Sequence, residues 1–196
     1  MPGHRLFLVR HGETEWSRSG QHTGRTDIPL TEEGVQQGRL LFERLHTVLF
    51  ALVLTSPMAR AQETCRLAGL LDRAEVLPDL QEWDYGEYEG ITTSTIRETR
   101  PDWTIWTDGA PGGEQAEQVG ARADRVIARA RQAEGDVALF SHGHMLRVLG
   151  ARWVGLPAAD GRLFMLSTAS VSVLSYEREA ATFQLWNGRA HLSHLD

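Results

Sequence analysis

The stretch "FLVRHGETEW" (7–16) decides the fold. Leu6 to Val9 form an apolar run of the kind that makes a short buried strand, and Gly12 breaks the pattern soon after. Arg10, His11 and Glu13 follow the run directly. A strand end reaches solvent, so polar residues there have a plain structural explanation. In α/β sheets, however, the carboxyl end of a buried strand is also where ligands bind. The choice between these readings turns on whether other strands end in the same way.

One does. "ALFSHGH" (138–144) repeats the design: an apolar run that terminates in His-Gly, here His142-Gly143-His144. In a parallel sheet both strand ends face one edge, so His11 and His142 converge. "LVLTSPMAR" (52–60) ends at the same edge and delivers Arg60 from the start of its helix, and "VLPDLQEWDYG" (76–86) delivers Glu82. Two arginines, two histidines and one glutamate at one edge suit a phosphate ester. Guanidinium groups hold phosphate oxygens through paired hydrogen bonds. A neutral imidazole attacks phosphorus, and a second one donates to oxygens on which charge builds. Glu82 is the residue placed to protonate a leaving alkoxide and then to deprotonate water. The cationic side chains supply the positive field, so neither a metal nor a cofactor is expected.

The strands between these motifs alternate with helical patterns. Strands are expected at 5–9, 51–56, 74–80 and 136–142. Helices are expected at 30–46 with Thr31 as N-cap, at 56–71 with Ser56 capping and Pro57 first, at 92–99, at 114–133 and at 144–156. A closing hairpin is expected at 170–177 and 181–187. This order implies an α/β fold with a mixed, mostly parallel sheet and helices on both faces. The chain reads as one domain over 1–196, with an aromatic, glycine-rich excursion at about 81–114 capping the site.

Composition narrows the function. The net charge is −6, against a nucleic-acid partner. There is no lysine, so each permanent side-chain cation is one of 20 arginines; a Walker-type phosphate loop and Schiff-base catalysis are excluded. Cys65 is the lone cysteine, and Leu71 stands where a thiol phosphatase would carry its arginine, so Cys65 reads as a buried structural thiol. A single cysteine and the lack of a signal-like or membrane-spanning run lead to the expectation of a cytoplasmic protein with no membrane partner. His142 and His144 have no carboxylate or thiolate at ligand spacing, against a metal pair. His4, His46, His191 and His194 read as exposed and incidental. Trp83, Tyr88, Trp103 and Trp106 read as local packing, with Tyr85 set apart by its closeness to Glu82.

"LVRHGETEW" (8–16) resembles the signature of the histidine phosphatase superfamily, the phosphoglycerate-mutase-like group. "TDIPLTEEG" (26–34), "TSPMARAQET" (55–64), "LQEWDYGEYEG" (80–90) and "FSHGHMLR" (140–147) resemble further blocks of that family in its order, over nearly the whole chain. The resemblance implies a three-layer α/β/α fold. It implies His11 as phosphorylated nucleophile and Glu82 as proton donor. Arg10, Arg60 and His142 would line the phosphate pocket, bordered by Gly143 and His144. Thr23 and Gly24 match a substrate-contacting turn, and a homodimer is allowed. Ser17 stands where mutases of this group carry Asn. Their lysine and adjacent arginine pair have no counterpart in the excursion. The chain is therefore most similar to the branch of sedoheptulose-1,7-bisphosphatase and bacterial broad-specificity acid phosphatases. That branch implies hydrolysis of small phosphorylated metabolites, either sugar phosphates or a broad range of them.

Overall fold

The computed structural model describes residues 5–193 and 195. Strands β1 (Leu6–Arg10), β2 (Phe50–Thr55), β3 (Ala74–Val76), β4 (Asp136–Ser141), β5 (Val171–Glu177) and β6 (Ala180–Gly188) form one sheet in the order β3-β2-β4-β1-β5-β6. The pairs β3–β2, β2–β4 and β4–β1 are parallel; β1–β5 and β5–β6 are antiparallel. The sheet is thus mixed and mostly parallel, as expected, with β5 inside it and only β6 at the antiparallel edge.

Strand alternation sorts the apolar residues into two cores. Leu6, Leu8, Val137 and Leu139 face the helices α6 (Ala116–Ala130) and α7 (Gly143–Trp153). Phe7, Val9, Ala138 and Phe140 face α2 (Glu32–Leu45) and α3 (Ala59–Leu67). Three layers result. α6 shows how the sequence specifies them: Val119, Ala123, Val126, Ile127 and Ala130 are buried at helical spacing. The excursion joins the first core through Trp83, Tyr85, Ile96, Trp103 and Ile105, and carries α4 (Thr93–Thr99) and α5 (Ile105–Asp108).

Several boundaries move. α3 begins at Ala59, with Met58 as N-cap and no side-chain cap bond; Ser56 and Pro57 stay outside it. The Ser56 hydroxyl accepts instead from the Met58 amide and from His142. β3 stops at Val76 because Pro78 opens a 3₁₀ turn, Pro78–Leu80. α7 ends at Trp153, ahead of Gly155 at φ 80°, and β6 runs further than expected, to Gly188. Helix α1 (Glu15–Ser19) lacks any apolar face, and the sequence reading passes over it. Thr31 caps α2 as expected, accepting from the Gly34 amide. Cys65 is buried on α3, and burial pushes its thiol up to about 12.

Two glycines let the loop after β1 lie against α2. A Cβ on Gly34 would strike the Glu13 carbonyl, and one on Gly12 would strike the Gly34 carbonyl. In an exposed helix Gly→Ala stabilises by about 1 kcal/mol. Gly34→Ala should instead destabilise by about 1–3 kcal/mol, since the added methyl overpacks a backbone contact. Urea unfolding checks this, and a raised midpoint would refute the close approach.

Candidate active site

The site is built where β1 and β4 run out together. Arg10 pairs with Ser141 in register, and the His11 amide donates to the Ser141 carbonyl at 3.0 Å. The His11 ring is buried, and its Nδ1 lies 2.7 Å from the Gly12 carbonyl. A carbonyl only accepts, so Nδ1 carries the proton and Nε2 keeps its lone pair. Thr64 of α3 locks this turn. Its hydroxyl accepts from the Gly12 amide at 3.0 Å and donates to the Arg60 carbonyl at 2.7 Å.

Arg10 gives one Nη1–H to the Leu166 carbonyl at 2.5 Å. Among the described residues its Nε is the buried side-chain polar atom left without a partner. Buried donors are nearly always paired, so this orphan beside the His11 ring is a place where an acceptor would fit. Gly143 lies against it: a Cβ there would sit 3.4 Å from the guanidinium, at van der Waals contact. Arg10, His11 and Gly143 line a cavity of about 450 Å3, together with Glu82, Tyr85 and His144.

Glu82 anchors to the first turn of α7. Its Oε1 accepts from the Trp83 and Met145 amides, both at 2.9 Å, and its Oε2 from the His144 amide at 3.0 Å. The carboxylate occupies the positive end of the helix that follows β4. Tyr85 Oη lies 2.6 Å from His144 Nδ1, which orients both rings along one wall.

Arg60 and His142 reach the same edge but do not contribute to the cavity lining. Arg60 is fully buried. Its Nε donates to His142 Nδ1 at 3.2 Å, and its Nη groups donate to the carbonyls of Thr26, Thr23 and Gly24 at 2.9–3.1 Å. That bond fixes the His142 tautomer, so His142 Nε2–H donates to Ser56 Oγ at 2.8 Å. The two residues adjoin the His11 ring, whose centroid lies 5.2 Å from that of His142. Thr23 and Ser17 line the cavity, with the Ser17 hydroxyl closing a capping box on Thr14. Gly24 lies outside it: its amide donates to Glu89 and its carbonyl accepts from Arg60.

The sequence reading missed three cavity residues with chemistry. His22 is buried and packs against Tyr85, with centroids 4.7 Å apart and the rings tilted by 31°. Arg97 of α4 donates to the Trp103 carbonyl at 2.9 Å, and Arg147 of α7 lies 4.6 Å over the Trp106 ring. Arg147 was legible as the residue three after His144 on one helix face, whereas Arg97 has no singled-out residue at helical spacing. His22 carries no such signal. Trp103 and Trp106 also line the cavity, so packing alone does not describe them; Trp83 is wholly core. His46 is exposed as expected, but His191 is half-buried, its Nε2 2.9 Å from the Ala169 carbonyl. His4 and His194 lie outside the described residues.

Burial sets the charge state of the rings. It lowers His11 well below the usual imidazole range, and the Arg60 and Arg10 charges lower it further. His142 falls for the same reasons, burial first and then Arg60, and His144 through burial and Arg147. Burial takes His22 down to about 4. Tyr85 is raised by burial and by Glu82. Neutral imidazoles therefore face a field supplied by arginine.

A family model described as the histidine phosphatase superfamily (branch 1) matches residues 6–189. An acid phosphatase of Mycobacterium tuberculosis is 46% identical over 178 residues, covering 89% of this chain and 87% of that protein. Sedoheptulose 1,7-bisphosphatase of Saccharomyces cerevisiae is 41% identical over 184 residues, 78% of this chain and 68% of that protein. A solved structure of a Mycobacterium tuberculosis open reading frame product superposes with a TM-score of 0.90 at 43% identity, covering 94% of this chain and 97% of that one.

The buried rings of His11, His22 and His142 and the half-buried ring of His144 make stability depend on pH. Unfolded, each takes a proton near about pH 6.5; folded, His11, His22, His142 and His144 resist it. Below that pH the unfolded state binds more protons, so the stability present above it is lost as the pH falls. The thermal midpoint, followed by circular dichroism without phosphate, should drop between about pH 6.5 and pH 5. A flat midpoint would show that the rings protonate in the folded state.

Proposed function

The chain belongs to the histidine phosphatase superfamily, branch 1, and from that premise we propose that it hydrolyses small phosphate monoesters without a metal, through a phosphohistidine on His11. The observation that carries this reading is the locked His11 tautomer beside the orphaned Arg10 Nε. Nε2 points its lone pair where a phosphoryl group would be held, and the Gly12 carbonyl accommodates the positive charge that develops on the ring.

In the first step Nε2 forms a bond to phosphorus while the bond to the ester oxygen breaks. The departing oxygen takes a proton from Glu82. Oε2 receives a single amide where Oε1 receives two, so the exchanged proton is assigned to Oε2. In the second step water attacks phosphorus, Glu82 takes its proton, and the bond to Nε2 breaks. Inorganic phosphate and free His11 result. Arg10 and the buried Arg60 supply the cationic field throughout.

The cavity wall supports a small, hydroxylated or anionic leaving group. Trp16, Trp103 and Trp106 contribute aromatic surface to the lining, and Arg97 and Arg147 contribute positive charge. Sugar phosphates fit that lining. The site lies on a chain in which, among the described residues, no helix is long and apolar enough to cross a membrane.

His11→Ala should abolish phosphate release in the presence of EDTA. Glu82→Gln should reduce kcat/KM on aliphatic phosphates by about 10²–10⁴-fold and spare p-nitrophenyl phosphate, whose leaving group needs little protonation. Equal loss on both would remove Glu82 from the acid role.

Arg97 and Arg147 also support a second reading. They come from separate helices, yet place two arginines in one cavity, as a mutase site requires. Incubation with 3-phosphoglycerate separates the two activities by phosphorus NMR. Inorganic phosphate as the product supports the phosphatase, and 2-phosphoglycerate as the product supports a mutase.

A further inference from the structure

The segment that carries Glu82 has little regular structure to hold it. β3 ends at Val76, the 3₁₀ turn covers Pro78–Leu80, and residues 81–84 belong to no helix or strand. The carbonyls of Asp79, Gln81 and Glu82 turn instead toward one side chain, Arg122 of α6. Its Nη1 donates to Asp79 and Gln81, both at 2.8 Å. Its Nη2 donates to the Glu82 carbonyl at 3.3 Å and to Glu114 Oε2 at 2.7 Å, and its Nε donates to Glu114 Oε1 at 2.8 Å. The five N–H groups of the guanidinium meet five acceptors.

Glu114 completes the frame from the other side. Its Oε2 accepts from the Asp84 amide, its carbonyl accepts from Trp83 Nε1 and its amide donates to the Asp84 carbonyl, each at 2.9 Å. The Arg122 and Glu114 side chains are 14% and 20% exposed, so water competes little for the pair. Arg122 Nη1 also lies 3.6 Å from Met145 Sδ, and the Met145 amide is one of the three that hold the Glu82 carboxylate. The clamp therefore reaches both the backbone of Glu82 and the helix turn on which its carboxylate rests. Arg122 is not part of the cavity lining.

Resting on the phosphatase reading above, we propose that Arg122, paired with Glu114, is a positioning residue for proton transfer: it fixes Glu82 against the first turn of α7, so that its carboxyl meets the leaving oxygen. Leu80 and Trp83, both fully buried, hold the segment in the core. The guanidinium adds the fine placement of Glu82 between them. Lysine lacks the planar fork and cannot span the three carbonyls and Glu114 together.

The test is Arg122→Lys, assayed with an aliphatic phosphate monoester and with p-nitrophenyl phosphate, beside Glu82→Gln. A misplacement of about 1 Å costs about 10²-fold in a step that needs the group. Arg122→Lys should therefore lose about 10²-fold in kcat/KM on the aliphatic ester and less than about threefold on the aryl ester. A variant that only loses folded protein loses activity equally on both, so the ratio reads positioning and not stability. Equal loss, or none, overturns the proposal. If Arg122→Lys does not fold by circular dichroism, Glu114→Gln is read in the same way; it keeps the shape of the pair, and an unchanged ratio again overturns the proposal. Failure of the underlying reading looks different: Glu82→Gln itself would then show no preference between the esters, or His11→Ala would still release phosphate.

Discussion

Parallel pairing of β1 with β4 sets Leu6 opposite Val137 and Arg10 opposite Ser141, so both strands run out at one height. Each is followed by His-Gly. The amide of His11 then bonds the Ser141 carbonyl, and the two imidazoles come within 5.2 Å between centroids. A slip of one residue would turn His11 to the opposite face of the sheet. The alternation of Leu6 and Leu8 toward one core and Phe7 and Val9 toward the other opposes that slip. Hydrophobic sorting in the middle of the sheet thereby fixes chemical geometry at its edge.

The polar groups gathered there are held in two tiers. Arg60, His142, Ser56 and Thr64 exhaust most of their hydrogen bonds on one another and on loop carbonyls, and so form a rigid floor. Arg10 and His11 stand on that floor with unused capacity, a buried Nε and an imidazole lone pair. Burial of the rings, and then the charges of nearby arginines, keeps the histidines neutral, and a neutral imidazole has a lone pair to offer. The half-buried Arg10 and the buried Arg60 and Glu82 together leave one net positive charge, which suits an anion. The arginine field that further disfavours protonated histidine is also one in which an anion would be favoured.

Much of this was legible from local pattern. Strand ends, the Thr31 cap, the two His-Gly breaks and the placement of Glu82 near them follow from apolar runs and breakers. The misses have physical causes. Ser56 resembles an N-cap, but its hydroxyl is taken by His142, eighty-six residues away in sequence. α1 has no apolar stripe, since it is held by a capping box and not by burial. Arg147 shares the face of α7 that carries His144, but His22 and Arg97 meet it in the cavity because the excursion folds back over the sheet edge, and no local spacing encodes that return.

By itself the sequence determined the alternation of strands and helices, the sharing of one sheet edge by Arg10, His11, Arg60, Glu82 and His142, and the absence of lysine from any mechanism. These follow from periodicity and composition, which are properties of short stretches. Tertiary structure alone decided which of those groups face the cavity and which brace it, which nitrogen of His11 is free, and that Arg122 collects the carbonyls around Glu82. Those outcomes depend on where backbone carbonyls from distant segments come to rest. A carbonyl is the same in every residue, so no residue type announces it.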